Sequence, residues 1–70
     1  MMGRASTLRY AEHRRVVLTR DLPSHGLSAG AVGTVVGTYG ADGYEVEFIG
    51  ADGRTVAVAT LGESDIRADA

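Results

Sequence analysis

The chain contains no cysteine, no lysine, a single proline, and no apolar run near the about 18 residues that a membrane span needs. Without cysteine there are neither disulfides nor thiolate metal sites, and nothing points to an oxidising compartment. Every cation is an arginine, a usage that fits a GC-rich coding genome better than a functional demand. The N-terminal arginines are not followed by an apolar stretch, so a secretory signal is not expected. These absences predict a cytoplasmic protein that makes no membrane contact. Seventy residues allow one domain. So short a chain buries only about 60% of the surface it exposes when unfolded, so further burial against a partner would stabilise it.

Charge is unevenly placed. Residues 1–20 carry Arg4, Arg9, Arg14, Arg15 and Arg20 against Glu12, a net +4. Residues 21–70 carry Arg54 and Arg67 against eight acids, a net −6. An acidic body repels phosphate backbones and argues against a basic nucleic-acid reader, although the arginines can still act as an arm.

The richest stretch is Leu27-Ser28-Ala29-Gly30-Ala31-Val32-Gly33-Thr34-Val35-Val36, in which two glycines lead into a β-branched run. Gly30 and Gly33 read as turn and bulge positions at a strand start, with positive φ or a tight backbone approach expected at Gly33. Before it, residues 1–12 read as a flexible tail whose Leu8 and Tyr10 can cling to the folded body, which spans residues 13–70. Strands are expected at Arg15–Arg20 (Val16 and Leu18 inward), Val32–Tyr39, Tyr44–Ile49 and Arg54–Leu61. Asp21 to Leu27 is an ordered loop around Pro23 and Gly26, pinned by Leu22 and Leu27. Gly40-Ala41-Asp42-Gly43 and Gly50-Ala51-Asp52-Gly53 are hairpin turns. Gly62 to Asp65 forms one helical turn, and Ile66-Arg67 a short closing strand. In the third strand Tyr44, Val46 and Phe48 alternate with Glu45 and Glu47, which gives one buried and one wet face. In the fourth, Val56 and Val58 alternate with Thr55, Ala57 and Ala59, so both faces can be partly covered. The pattern predicts an all-β, five-stranded SH3-like barrel; an open four-stranded meander is the alternative.

Asp21-Leu22-Pro23, Gly26-Leu27, Gly30, Gly33-Thr34-Val35-Val36, Tyr44-Glu45-Val46-Glu47-Phe48, Gly53-Arg54-Thr55, Ala57-Val58 and Thr60-Leu61 together resemble a bacterial family of uncharacterised proteins, domain of unknown function 4926. The resemblance covers about residues 14–67. It implies a small SH3-like barrel and no known activity. An antitoxin-like or inhibitor-like role is conceivable from it. The arginine-rich N-terminal extension lies outside the pattern.

Candidate chemistry is sparse. Asp21, Ser24 and His25 have the residue types of a nucleophile relay, but Ser24 and His25 are neighbours in one loop, where side chains do not converge on a rigid frame. His13 and His25, twelve residues apart, lack metal-ligand spacing. Gly30-x-x-Gly33 leads into a strand and lacks the lysine of a phosphate loop. No catalytic residue, metal or cofactor is therefore assigned. Gly26, Gly30, Gly33, Gly43 and Gly53 read as structural glycines. Glu45 and Glu47, flanked by Asp42 and Asp52 in the turns, make an acidic strand face, with Arg54 placed to neutralise Glu47. The expectation is a non-catalytic binding or regulatory module that docks a basic protein partner on this face. The alternatives are nucleic-acid association through Arg4, Arg9, Arg14 and Arg15, and a homo-oligomeric structural role.

Overall fold

A computed structural model describes residues 10–69, so Arg4, Leu8 and Arg9 lie outside the described residues. The strands are β1 (Arg15–Leu18), β2 (Val32–Tyr39), β3 (Gly43–Ile49), β4 (Thr55–Gly62) and β5 (Ile66–Ala68), with 3-10 turns at Pro23–His25 and Glu63–Asp65. All pair antiparallel in one sheet of order β4-β3-β2-β1-β5. The two edge strands are consecutive in the chain and separated only by the turn Glu63–Asp65. A flat sheet would hold its edges about 19 Å apart, at four strand spacings. A 3-10 turn of this length advances only about 8 Å. The sheet must therefore roll until its edges approach at this corner. No ladder joins β4 to β5 among the described residues.

The concave face of the roll holds the core. Val16, Leu18, Val35, Tyr44, Val46, Phe48, Ala59, Leu61 and Ile66 are buried there, with Leu22 closing one end. Large and small residues are matched across β3 and β4: Phe48 faces Ala57 and Val46 faces Ala59. Gly33 faces Phe48 across the β2–β3 ladder. A Cβ there would lie 2.7 Å from Val46 Cγ1 and 2.8 Å from Phe48 Cε1, so the ring occupies the space a side chain would need. The tight approach expected at Gly33 is present. The bulge expected there is not, because the β2–β3 register shifts between Val35 and Gly37, at Val36.

The first strand is shorter than expected and stops at Leu18 rather than Arg20. Thr19 and Arg20 leave the ladder to hold the rolled corner. Thr19 donates from its backbone N to Asp65 O (2.9 Å) and from its hydroxyl to Ser64 O (2.8 Å). Arg20 Nε donates to Asp65 Oδ1 at 2.7 Å, and Gly62 N donates to Asp65 Oδ2 at 3.0 Å. The Arg20 hydrogen bond, followed by that of Gly62, holds the Asp65 carboxyl below the ordinary carboxylate range against a smaller opposing effect of burial.

Residues at the tail boundary are tied to the body. The Tyr10 ring packs edge-on against Tyr44 with centroids 5.5 Å apart, and Tyr10 N donates to the buried Tyr44 hydroxyl at 3.1 Å. Tyr44 thus keeps a partner for its polar tip while its ring fills the core. Arg14 N donates to Ala11 O and His13 N to Val35 O, with His13 in the left-handed region at φ 74°. The boundary expected after Glu12 falls inside this turn.

Candidate docking surface on the outer sheet face

The convex face is built by the residues that alternate with the core. One row crosses four strands in direct register: Arg15 on β1, Thr34 on β2, Glu47 on β3 and Val58 on β4. The next holds Gly37, Glu45 and Thr60. Glu45 and Glu47 share this face, as their spacing requires, but they are half-buried rather than fully wet. Each accepts a hydrogen bond from a threonine of β4: Thr60 Oγ1 to Glu45 Oε2 and Thr55 Oγ1 to Glu47 Oε2, both 2.6 Å. Thr60 stands directly opposite Glu45. Thr55 reaches Glu47 because the β3–β4 register shifts between Phe48 and Ile49, where Val56 is the extra residue.

The neutralisation of Glu47 by Arg54 is not what forms. Arg54 instead lies 4.0 Å from Asp52 at the exposed turn, and a threonine hydroxyl takes the place beside Glu47. A hydroxyl orients a carboxylate without cancelling its charge, and most of its lone pairs stay available.

Exposed apolar side chains surround the two glutamates. Val56 and Val58 keep about half their surface (52% and 51%), and Val32, Val36 and Ile49 are also exposed. An open groove of about 300 Å³ runs between Arg15 and Glu47, with Val32, Gly33, Thr34 and Ile49 as its remaining lining. Toward the β2–β3 turn the paired Gly43 and Gly62 leave the outer face bare. A second groove lies there, bordered by Tyr39 (68% exposed), Asp42, Thr60 and Glu63.

The four carboxylates expected to act together are spread along the hairpin. Glu45 and Glu47 sit side by side, while Asp42 and Asp52 lie in turns at opposite ends of β3. On the cationic side, Arg14 is exposed, and Arg15 Nε lies 3.5 Å from Asp69 Oδ2. Ser24 Oγ is 3.3 Å from His25 Nδ1 on the exposed turn, but Asp21 Oδ1 accepts from Ala29 N at 2.8 Å and does not orient the imidazole. Among the described residues no three His, Asp or Glu side chains gather at metal-binding distance, and no helix is long and apolar enough to cross a membrane.

The model of the domain of unknown function DUF4926 matches residues 12–68. The chain belongs to this family. No curated protein and no solved structure matches it. In this DUF4926 chain the glycine and loop residues of the resemblance take turn and packing positions. Leu22 pairs with Leu27, Gly26 caps the 3-10 turn at φ 70°, Gly30 turns at φ 95°, and Gly33 accommodates Phe48. Both glutamate–threonine pairs fall within the range matched to the DUF4926 model, whereas Arg4 and Arg9 precede it. Sequence reasoning missed Tyr39 and the outward valines; a β-branched run on a strand whose neighbour is also apolar was the available signal.

Proposed function

We propose that this chain is a non-catalytic binding module that docks a basic segment of a protein partner on the outer face of β2, β3 and β4. One observation carries the reading: two carboxylates, oriented by threonines and not ion-paired among the described residues, sit among exposed Val32, Val36, Ile49 and Val58. Apolar surface supplies the affinity and the paired acids select the sign of the partner's charge. At the turn end, the exposed Tyr39 ring beside Asp42 suits a guanidinium, which stacks on aromatic faces and pairs with carboxylates.

The arm reading gains less support, because Arg15 and Arg20 face Asp69 and Asp65. An antitoxin-like or inhibitor-like role in a bacterial cytoplasm is one setting in which such a face serves.

The test is capture of partners from the native host by the full chain and by Glu45→Arg/Glu47→Arg. The double reversal keeps the fold and loses a partner whose binding weakens with added salt, since exposed charges are screened over about 8–10 Å. Capture that survives the reversal but is lost when Arg4, Arg9, Arg14 and Arg15 are replaced overturns the docking reading.

A further inference from the structure

The tetrapeptide at residues 40–43 recurs at 50–53, so the chain carries the same Ala-Asp-Gly sequence in two exposed turns. An aspartate before a glycine is open to attack by the glycine nitrogen on its side-chain carboxyl, because no Cβ shields that nitrogen. With the local sequence matched, only the fold can separate the two sites. Their backbones do not: Gly53 N donates to Gly50 O at 3.0 Å, and Gly43 pairs with Tyr39 in the β2–β3 ladder. Their carboxylates do. Asp52 Oδ1 accepts from Arg54 N at 3.0 Å, and Oδ2 lies 4.0 Å from Arg54 Nε. Attack by Gly53 N requires that hold to break. Asp42, by contrast, has no hydrogen bond or ion pair among the described residues. With Gly43 it borders the open groove beside Tyr39, where its carboxyl has room to turn and water has room to enter.

We propose that Asp42-Gly43 is a site of spontaneous aspartate isomerisation and that Asp52-Gly53 is protected from it. In the first step Gly43 N bonds to Asp42 Cγ. The Cγ–OH bond of the protonated carboxyl breaks, and the hydroxyl leaves as water with the amide proton. Solvent water then opens the resulting succinimide at either carbonyl. Opening at Cγ restores aspartate; opening at the main-chain carbonyl carbon of Asp42 leaves isoaspartate, with the chain running through Cβ and Cγ. Water is the only co-reactant, and the net charge is the same before and after. What changes is length, since one extra carbon enters the backbone between residues 42 and 43. The turn holds three residues between Tyr39 and Gly43, and the inward set Tyr44, Val46 and Phe48 fixes that register. Isomerisation therefore loosens the β2–β3 hairpin and displaces a carboxylate at the Tyr39 end of the outer face. The chemistry needs no partner and stands apart from the docking reading.

The test ages the full chain for several weeks near neutral pH and body temperature, in water enriched in heavy oxygen, which marks every succinimide that opens. Glutamyl endopeptidase cuts after Glu45 and Glu47 and places the two sites on separate fragments. Electron-transfer fragmentation then distinguishes isoaspartate from aspartate in each. The expected result is isoaspartate forming at Asp42 about fivefold faster than at Asp52, the factor that one hydrogen bond of ordinary strength adds to a barrier. In guanidinium the two rates converge, because only the shared local sequence remains. Asp42→Glu, which keeps the charge but closes only to a less favourable ring, abolishes the reaction at residue 42 and leaves the rate at Asp52 unchanged. Absence of isoaspartate at Asp42, a native rate at Asp52 equal to or above it, or a ratio that persists in guanidinium overturns the proposal. None of these outcomes bears on capture at Glu45 and Glu47.

Discussion

The tetrapeptide Gly-Ala-Asp-Gly occurs twice, at 40–43 and 50–53, and folds two ways. In the first copy Tyr39 pairs with Gly43, so three residues make the turn and its last glycine already belongs to β3. The left-handed residue is the first glycine, Gly40, at φ 68°. In the second copy Ile49 pairs with Thr55, all four residues stay in the loop, and the left-handed residue is the last glycine, Gly53, at φ 83°. There Gly50 N donates to Arg54 O, Gly53 N to Gly50 O, and Arg54 N to Asp52 Oδ1. The same four residues are thus read differently by the strands around them. Strand β3 must place Tyr44, Val46 and Phe48 inward, and slipping by one residue would expose all three. Each turn therefore takes the length that this register leaves it.

Substitutions at matched positions separate the two turns. The largest effect is expected at Gly43→Ala, because a Cβ there would lie 2.5 Å from Tyr39 O, a backbone atom that cannot swing away. A loss of about 3 kcal/mol in urea denaturation is expected, at the upper end of overpacking costs. The equivalent Gly53→Ala meets no atom within 4 Å and suffers only from its positive φ, costing about 1 kcal/mol, with Gly53→Asn recovering part of it. Equal losses at Gly43 and Gly53 would mean that the turns are alike and the comparison fails. Among the first glycines the order is the same but the cause differs: Gly40→Ala costs about 1 kcal/mol for its φ of 68°. Gly50→Ala meets Val56 Cγ2 at 3.0 Å, a methyl that can shift, and costs less than about 0.5 kcal/mol. The smallest contrast lies in the acids. Asp52→Ala loses the bond from Arg54 N and about 0.5–1 kcal/mol, while Asp42→Ala leaves thermal stability unchanged.

Much of this fold was legible in the chain. Strict alternation placed Tyr44, Val46 and Phe48 inside and Glu45 and Glu47 outside, and the Asp-Gly signals placed both hairpins. The outward valines were not legible. In β4 both alternating sets are apolar, so hydrophobicity cannot choose a face; volume chooses it instead. Phe48 and Val46 fill the space opposite β4, and only Ala57 and Ala59 fit beneath them, which turns Val56 and Val58 outward. The partner of Glu47 was misjudged for a related reason. A single extra residue at Val56 moves Thr55 onto the glutamate's side and leaves Arg54 at the turn. Tyr10 was hard to place because its packing depends on Tyr44, 34 residues away, whose hydroxyl needs a donor.

The Arg20–Asp65 contact has a kinetic consequence. It joins groups 45 residues apart, whereas the β2–β3 and β3–β4 hairpins close over a few residues. Loop closure costs more entropy over the longer span, so the hairpins make the better nucleus and this latch forms after the rate-limiting step. A contact absent from the transition state acts on the rate of leaving the native state and not on the rate of reaching it. Asp65 titrates below its ordinary range when folded, so its contribution is complete above the unfolded value of about 3.9 and is lost as pH falls through the lower folded value. Acid should therefore shorten the lifetime of the rolled sheet in stopped-flow unfolding, by a factor that Asp65→Asn removes, while the latch's contribution to the refolding rate stays unchanged. A refolding rate that Asp65→Asn slows as much as acid speeds unfolding would place the corner in the nucleus instead.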